Sequence, residues 1–136
     1  MSTTGNPTFE KMDQLILRGV HVLVVEDTWH VAKALKTLLE SLGMHVAGPA
    51  ATTAYAKRLV AARKPAIAVV DMNLKRELAC DLIEDLYDQG VGVVVVSGYA
   101  APPAPAGKVE AILQKPFSEQ ELLTALQAVV AKGSPQ

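Results

Sequence analysis

The sequence predicts a doubly wound parallel α/β domain. Three observations lead there. Short, largely β-branched runs recur along the chain, Val22-Leu23-Val24-Val25, Ile67-Ala68-Val69-Val70 and Val93-Val94-Val95-Val96, and such runs read as strands buried on both faces. Segments with apolar residues at helical spacing separate them, which is the pattern of strand–helix–strand crossovers. Half of the 136 residues are hydrophobic, enough for one domain with a sizeable core and too short a chain for two.

In chain order, residues 1–18 read as an N-terminal extension, polar and partly disordered over 1–6. A short helix is expected within residues 7–17, with Phe9, Met12, Leu15 and Ile16 roughly on one face. The compact domain is expected over 19–132, followed by a disordered tail, 133–136. The first strand is His21 to Val25. A helix from Thr28 to Leu42 follows, because Val31, Leu35, Leu38, Leu39 and Leu42 share a face and Gly43 stops it. The second strand is Met44 to Ala47, ended by Gly48-Pro49. The second helix spans Thr53 to Arg63 and the third strand Ala66 to Val70. The third helix runs from Leu78 to Gln89, with Leu82, Ile83 and Leu86 inward and Gly90 as its stop. The fourth strand is Val91 to Val96. Residues 97–108 contain Pro102, Pro103 and Pro105, which remove backbone donors, so any helix there should be short or lost. The fifth strand is Val109 to Leu113. The last helix starts on Ser118-Glu119-Gln120-Glu121, a capping box, and runs to Lys132.

Composition excludes several classes. Thirteen basic against 14 acidic residues leave a net charge of -1, so nothing electrostatic favours nucleic acid or an anionic membrane. Cys80 is the only cysteine, which rules out an internal disulfide and fits a reducing cytoplasm. No apolar run approaches the roughly 20 residues of a membrane span, and Met1 to Asn6 do not read as a signal peptide. His21, His30 and His45 lie apart and do not read as a metal site.

The chemistry-bearing residues sit at strand ends. The first strand runs into Glu26-Asp27, the third into Asp71, the fourth into Ser97 and the fifth into Lys115-Pro116. Open parallel sheets place their ligand sites at that edge. Three carboxylates in one pocket repel one another unless a cation intervenes. Magnesium answers this need, taking one or two protein carboxylates and leaving positions for water and phosphate oxygens. With the Lys115 ammonium and the Ser97 hydroxyl, the set forms a cradle for a phosphoryl group. A carboxylate can accept that group, and Asp71, alone at its strand end, is the candidate acceptor. Taken singly, Asp27 also reads as a helix N-cap, Ser97-Gly98 as a turn and Lys115 as a solvated lysine. Trp29 fringes the pocket or packs on its own loop.

The motifs Glu26-Asp27, Asp71-Met72-Asn73-Leu74, Ser97-Gly98-Tyr99 and Lys115-Pro116-Phe117 resemble the receiver domain of two-component response regulators over about residues 19–132. The resemblance implies a flavodoxin-like five-stranded sheet of order 2-1-3-4-5. It implies that Asp71 takes a phosphoryl group from a histidine kinase or a phosphotransfer protein. It also implies that Asp27, Asp71 and the Asn73 backbone carbonyl ligate Mg2+, with Glu26 acting through water. Lys115 would pair with the phosphoryl group and Ser97 bond one of its oxygens. Two departures stand out. The family's switch aromatic is replaced by Ile112, and the fourth helix is compromised. Ser97-Gly98-Tyr99 is similar to the Thr-Gly-Tyr of FATGUY-type single-domain receivers, which makes Tyr99 a substitute switch residue; a ring covering the sheet edge is the other reading.

The expectation is therefore a cytoplasmic stand-alone response regulator, monomeric or weakly dimeric. It would signal by phosphorylation-dependent partner binding or phosphorelay. It would contact neither nucleic acid nor membrane, and would catalyse only its own phosphorylation and dephosphorylation. The alternatives are a receiver-like scaffold that is never phosphorylated and a magnesium-dependent aspartyl phosphatase. The latter needs Asp-x-Asp after the first strand, where Trp29 stands instead.

Overall fold

A computed structural model describes residues 16–74, 77–98 and 104–133. Its elements are β1 (His21–Val25), α1 (Trp29–Ser41), β2 (His45–Ala50), α2 (Thr53–Ala62), β3 (Ile67–Asp71), β4 (Asn73–Leu74), β5 (Glu77–Leu78), α3 (Cys80–Asp88), β6 (Gly92–Ser97), β7 (Ala111–Gln114) and α4 (Glu119–Gly133). The main sheet has the order β2-β1-β3-β6-β7 and every pairing in it is parallel. Leaving aside β4 and β5, which pair only with each other, this is the 2-1-3-4-5 order that the receiver resemblance implies.

The strands divide the core into two layers because successive side chains point to opposite faces. Leu23 and Val25 of β1, Ala68 and Val70 of β3 and Val93 and Val95 of β6 face α2 and α3, meeting Ala56, Val60, Leu82, Ile83 and Leu86. Val22, Val24, Ile67, Val69, Val94 and Val96 face α1 and α4, meeting Leu35, Leu39, Leu122, Leu126 and Val129. A one-residue slip would exchange the two faces of a strand, so the register that fixes the core also fixes where each strand's last residue lies. The α4 start follows its capping box: Ser118 N–H donates to Glu121 Oε1 at 2.8 Å and Glu121 N–H to Ser118 Oγ at 3.0 Å.

Several expectations are corrected. Leu17, assigned to the extension, is fully buried in the α1–α4 layer; the rest of the expected helix, apart from Ile16, lies outside the described residues. The second strand does not end at Gly48-Pro49 but continues to Ala50. It passes Gly48 through an irregularity in its pairing with β1, between Leu23 and Val25. Turn residues signal a stop in isolation, whereas here Gly48 takes a positive φ of 99° within the strand. The third helix starts at Cys80, not Leu78, because residues 77–78 pair with 73–74 as a short ribbon instead. His21 and His45, far apart in sequence, stack with ring centroids 4.8 Å apart, since parallel pairing sets them side by side. Among the described residues between β6 and β7, namely 98 and 104–110, none is helical, as the prolines predict. Tyr99 lies outside the described residues. No described helix is long and apolar enough to cross a membrane.

Gly48 offers a direct test. A Cβ there would stand 2.8 Å from both the Val24 carbonyl oxygen and the Ala50 nitrogen, backbone atoms that cannot swing aside. With the positive φ added, Gly48→Ala should lower unfolding free energy by about 2 kcal/mol. Urea denaturation measures this, and an unchanged midpoint would show that the strand relaxes freely.

Candidate functional site

The carboxyl ends of β1, β3, β6 and β7 meet at one edge of the sheet. Glu26 follows β1, and its N–H donates to the Ala50 carbonyl at 2.9 Å, which extends the β1–β2 pairing by one step. Asp71 closes β3 opposite Val96 of β6. Ser97 ends β6, and its carbonyl accepts the Lys115 N–H at 2.7 Å. The Lys115–Pro116 peptide is cis. Glu26, Asp71 and Ser97 are buried, the three buried polar residues of the described chain.

These placements bring the sequence-selected carboxylates together. One oxygen from each of Glu26, Asp27 and Asp71 lies within 4.8 Å of the others. Lys115 reaches across the sheet edge, its Nζ 3.3 Å from Glu26 Oε1 and 3.3 Å from Asp71 Oδ2. The remaining oxygens take backbone donors: Glu26 Oε2 accepts the Thr28 N–H at 3.1 Å and Asp71 Oδ1 the Asn73 N–H at 3.1 Å. Asp27 is not the helix N-cap; that position belongs to Thr28.

Electrostatics follow from this packing. Burial pushes the Glu26 carboxyl above its ordinary value; the Asp71 charge adds to the rise, while the Thr28 N–H and Lys115 offset part of it. For Lys115, burial alone would disfavour the ammonium, but attraction to Glu26 and Asp71 outweighs it and raises its pKa. Three carboxylates against one ammonium still leave excess negative charge. The donor set is all oxygen, compact and only partly accessible, which fits a hard divalent cation such as magnesium.

One feature escaped sequence reasoning, and one of two readings is settled. The backbone N–H groups of Thr28 and Asn73 fix the carboxylate orientations, and no residue type announces that role. Trp29 does not pack on its own loop; it is 72% exposed, with Lys33 Nζ 5.1 Å from its ring centroid. Together with Glu26, Asp27, Lys33, Lys36 and Pro49 it lines a cavity of about 460 Å3 beside the acidic cluster. The spacing of four between Trp29 and Lys33 is the sequence signal that could have found this pair. Of the expected switch residues, Ser97 is buried at the site and Ile112 is exposed on β7.

A parallel doubly wound sheet carrying an acidic trio and a lysine at its carboxyl edge defines a receiver-type domain. The family model described as the response regulator receiver domain matches residues 22–127, and the chain belongs to that family. The PhyR response regulator REC domain of Erythrobacter litoralis, solved by NMR, is 30% identical with a TM-score of 0.73, covering 88% of this chain and 96% of that one. A CheY-like receiver domain from Methylobacillus flagellatus is 24% identical with a TM-score of 0.72, covering 82% and 98%. A mutant of the anti-anti-sigma factor PhyR from Bartonella quintana is 19% identical with a TM-score of 0.77, covering 92% of this chain and 54% of that chain. The chain thus spans about half the length of the full PhyR structures it matches. None of the curated proteins compared by sequence matches it.

Because Trp29 shares a cavity with Glu26 and Asp27, Mg2+ titration should change its fluorescence. Asp27→Ala should weaken that response at least roughly tenfold, as loss of a direct ligand does. An unchanged titration curve in the variant would remove Asp27 from the ligand set.

Proposed function

We propose that the protein is a phosphorylation-operated response regulator that accepts a phosphoryl group on Asp71. The observation that carries this reading is the Lys115 ammonium bridging Glu26 and Asp71 at 3.3 Å each, beside a compact acidic trio. The donor is a phosphohistidine on a kinase or a phosphotransfer protein, the partner class that the family implies. An Asp71 carboxylate oxygen attacks phosphorus, the P–N bond breaks, and the imidazole leaves and takes a proton from solvent.

Such transfers are accelerated mainly by positioning and by neutralising charge on the phosphoryl oxygens. Lys115 supplies a fixed ammonium to one oxygen, and the Ser97 hydroxyl donates to another. Asp27, Asp71 and the Asn73 carbonyl would hold magnesium, with Glu26 acting through water. When bound, the metal supplies the charge that lets an anionic phosphoryl group approach a carboxylate cluster. Asn73 N–H keeps the Asp71 carboxylate aimed. The protein carries out only its own phosphorylation and dephosphorylation, and its output, in the cytoplasm, is a binding event or onward relay. Ser97 moving toward the phosphoryl group would pull on the chain that follows β6, in the manner of an order–disorder switch. That chain, with Ile112 and Tyr99 in place of the usual switch aromatic, carries the change.

Incubation with acetyl phosphate and Mg2+ should add the mass of one phosphoryl group, removable by hydroxylamine, and Asp71→Asn should abolish the gain. Equal labelling of the variant would sink the assignment.

With beryllofluoride as the phosphoryl mimic, hydrogen exchange of residues 104–110 should differ from that of the free protein. Identical protection in both states would place the switch elsewhere.

A further inference from the structure

We propose that the β4–β5 ribbon is a positioning device for this site and that Leu74 anchors it. The inference rests on the functional reading above. Met72, the residue after Asp71, is tied at both its polar groups. Its N–H donates to the Val96 carbonyl at 2.9 Å, and its carbonyl accepts the Ala79 N–H at 3.3 Å. The chain therefore leaves β3 and returns to α3 at one fixed point. Between lie the antiparallel pairs Asn73–Leu78 and Leu74–Glu77.

Asn73 points outward, and its N–H reaches back to Asp71 Oδ1 at 3.1 Å, leaving Oδ2 against Lys115. The aim of the acceptor carboxylate thus depends on where the Asn73 peptide sits, and the Asn73 carbonyl belongs to the same stretch of backbone. A two-stranded ribbon is marginally stable at best without a hydrophobic attachment. Leu78, 55% exposed, supplies none. Leu74, 6% exposed, turns into the layer formed by Met72, Ala79, Leu82 and Val95. Among the described side chains of the ribbon, Leu74 is therefore the one that fixes Asn73, acting on the metal and the phosphoryl group only through that peptide.

The test separates positioning from stability. Mg2+ affinity is measured by titration calorimetry on wild type, Leu74→Ala, Leu74→Met and Leu126→Ala, with urea unfolding of each in the absence of metal. Leu126 is fully buried on α4 in the opposite layer of the core, so Leu126→Ala removes comparable packing on the other side of the sheet from the ribbon. Leu74→Ala should weaken Mg2+ binding roughly tenfold, the cost usual for losing a ligand's support. Leu74→Met should restore it, and Leu126→Ala should lose stability while keeping its affinity. Leu74→Val replaces the alanine variant if the latter does not fold. Wild-type affinity in Leu74→Ala, or an equal loss in Leu126→Ala, would overturn the proposal. Wild-type protein that bound no Mg2+ would overturn the functional reading along with it.

Discussion

Negative charge concentrated at the carboxyl edge of the sheet is the constraint on which this molecule turns. Three carboxylates occupy a space less than 5 Å wide, and two of them are buried. Like charges so placed are costly, and the surroundings answer the cost in specific ways. Lys115 bridges two of the carboxylates. Backbone amides at Thr28 and Asn73 take the oxygens that the lysine leaves. The charge that remains unbalanced is what fits the edge to a hard cation. A fully neutralised edge would be more stable and would have no reason to bind anything.

The rigidity needed to hold that arrangement comes from the core. Every central strand is buried on both faces, with one layer of helices on each. The register that satisfies both layers also sets Asp71 beside Val96 and brings Ser97 beside Gln114. Lys115, one residue beyond β7, is tied by its N–H to the Ser97 carbonyl. Packing far from the chemistry therefore places groups to within a hydrogen-bond length. The β4–β5 ribbon extends the same logic past the strand end, where no sheet neighbour is available.

The segment between β6 and β7 behaves differently. It begins at the buried Ser97, and its described residues form no helix. Ala104 and Val109 pack against the same layer as Leu74, so the ribbon and this segment share one hydrophobic surface.

By itself, the sequence determined the fold class, the strand order expected of the receiver resemblance, and the identity of the site's charged residues. It could do so because doubly buried strands are written as unbroken apolar runs, and a chemistry-bearing residue follows each run. The capping box at Ser118 and the absence of helix among the described residues just before β7 were equally legible, since both depend on local chemistry. Tertiary structure alone decided the rest. Strand β2 continues through Gly48 because pairing with β1 outweighs a local turn preference. His21 and His45 meet only once parallel register sets them side by side. Leu17 joins the core because the α1–α4 layer has room for it, which no periodicity in an isolated stretch can reveal. The aim of Asp71 rests on a backbone N–H at Asn73, a donor every residue but proline carries, so residue type gave no sign of it.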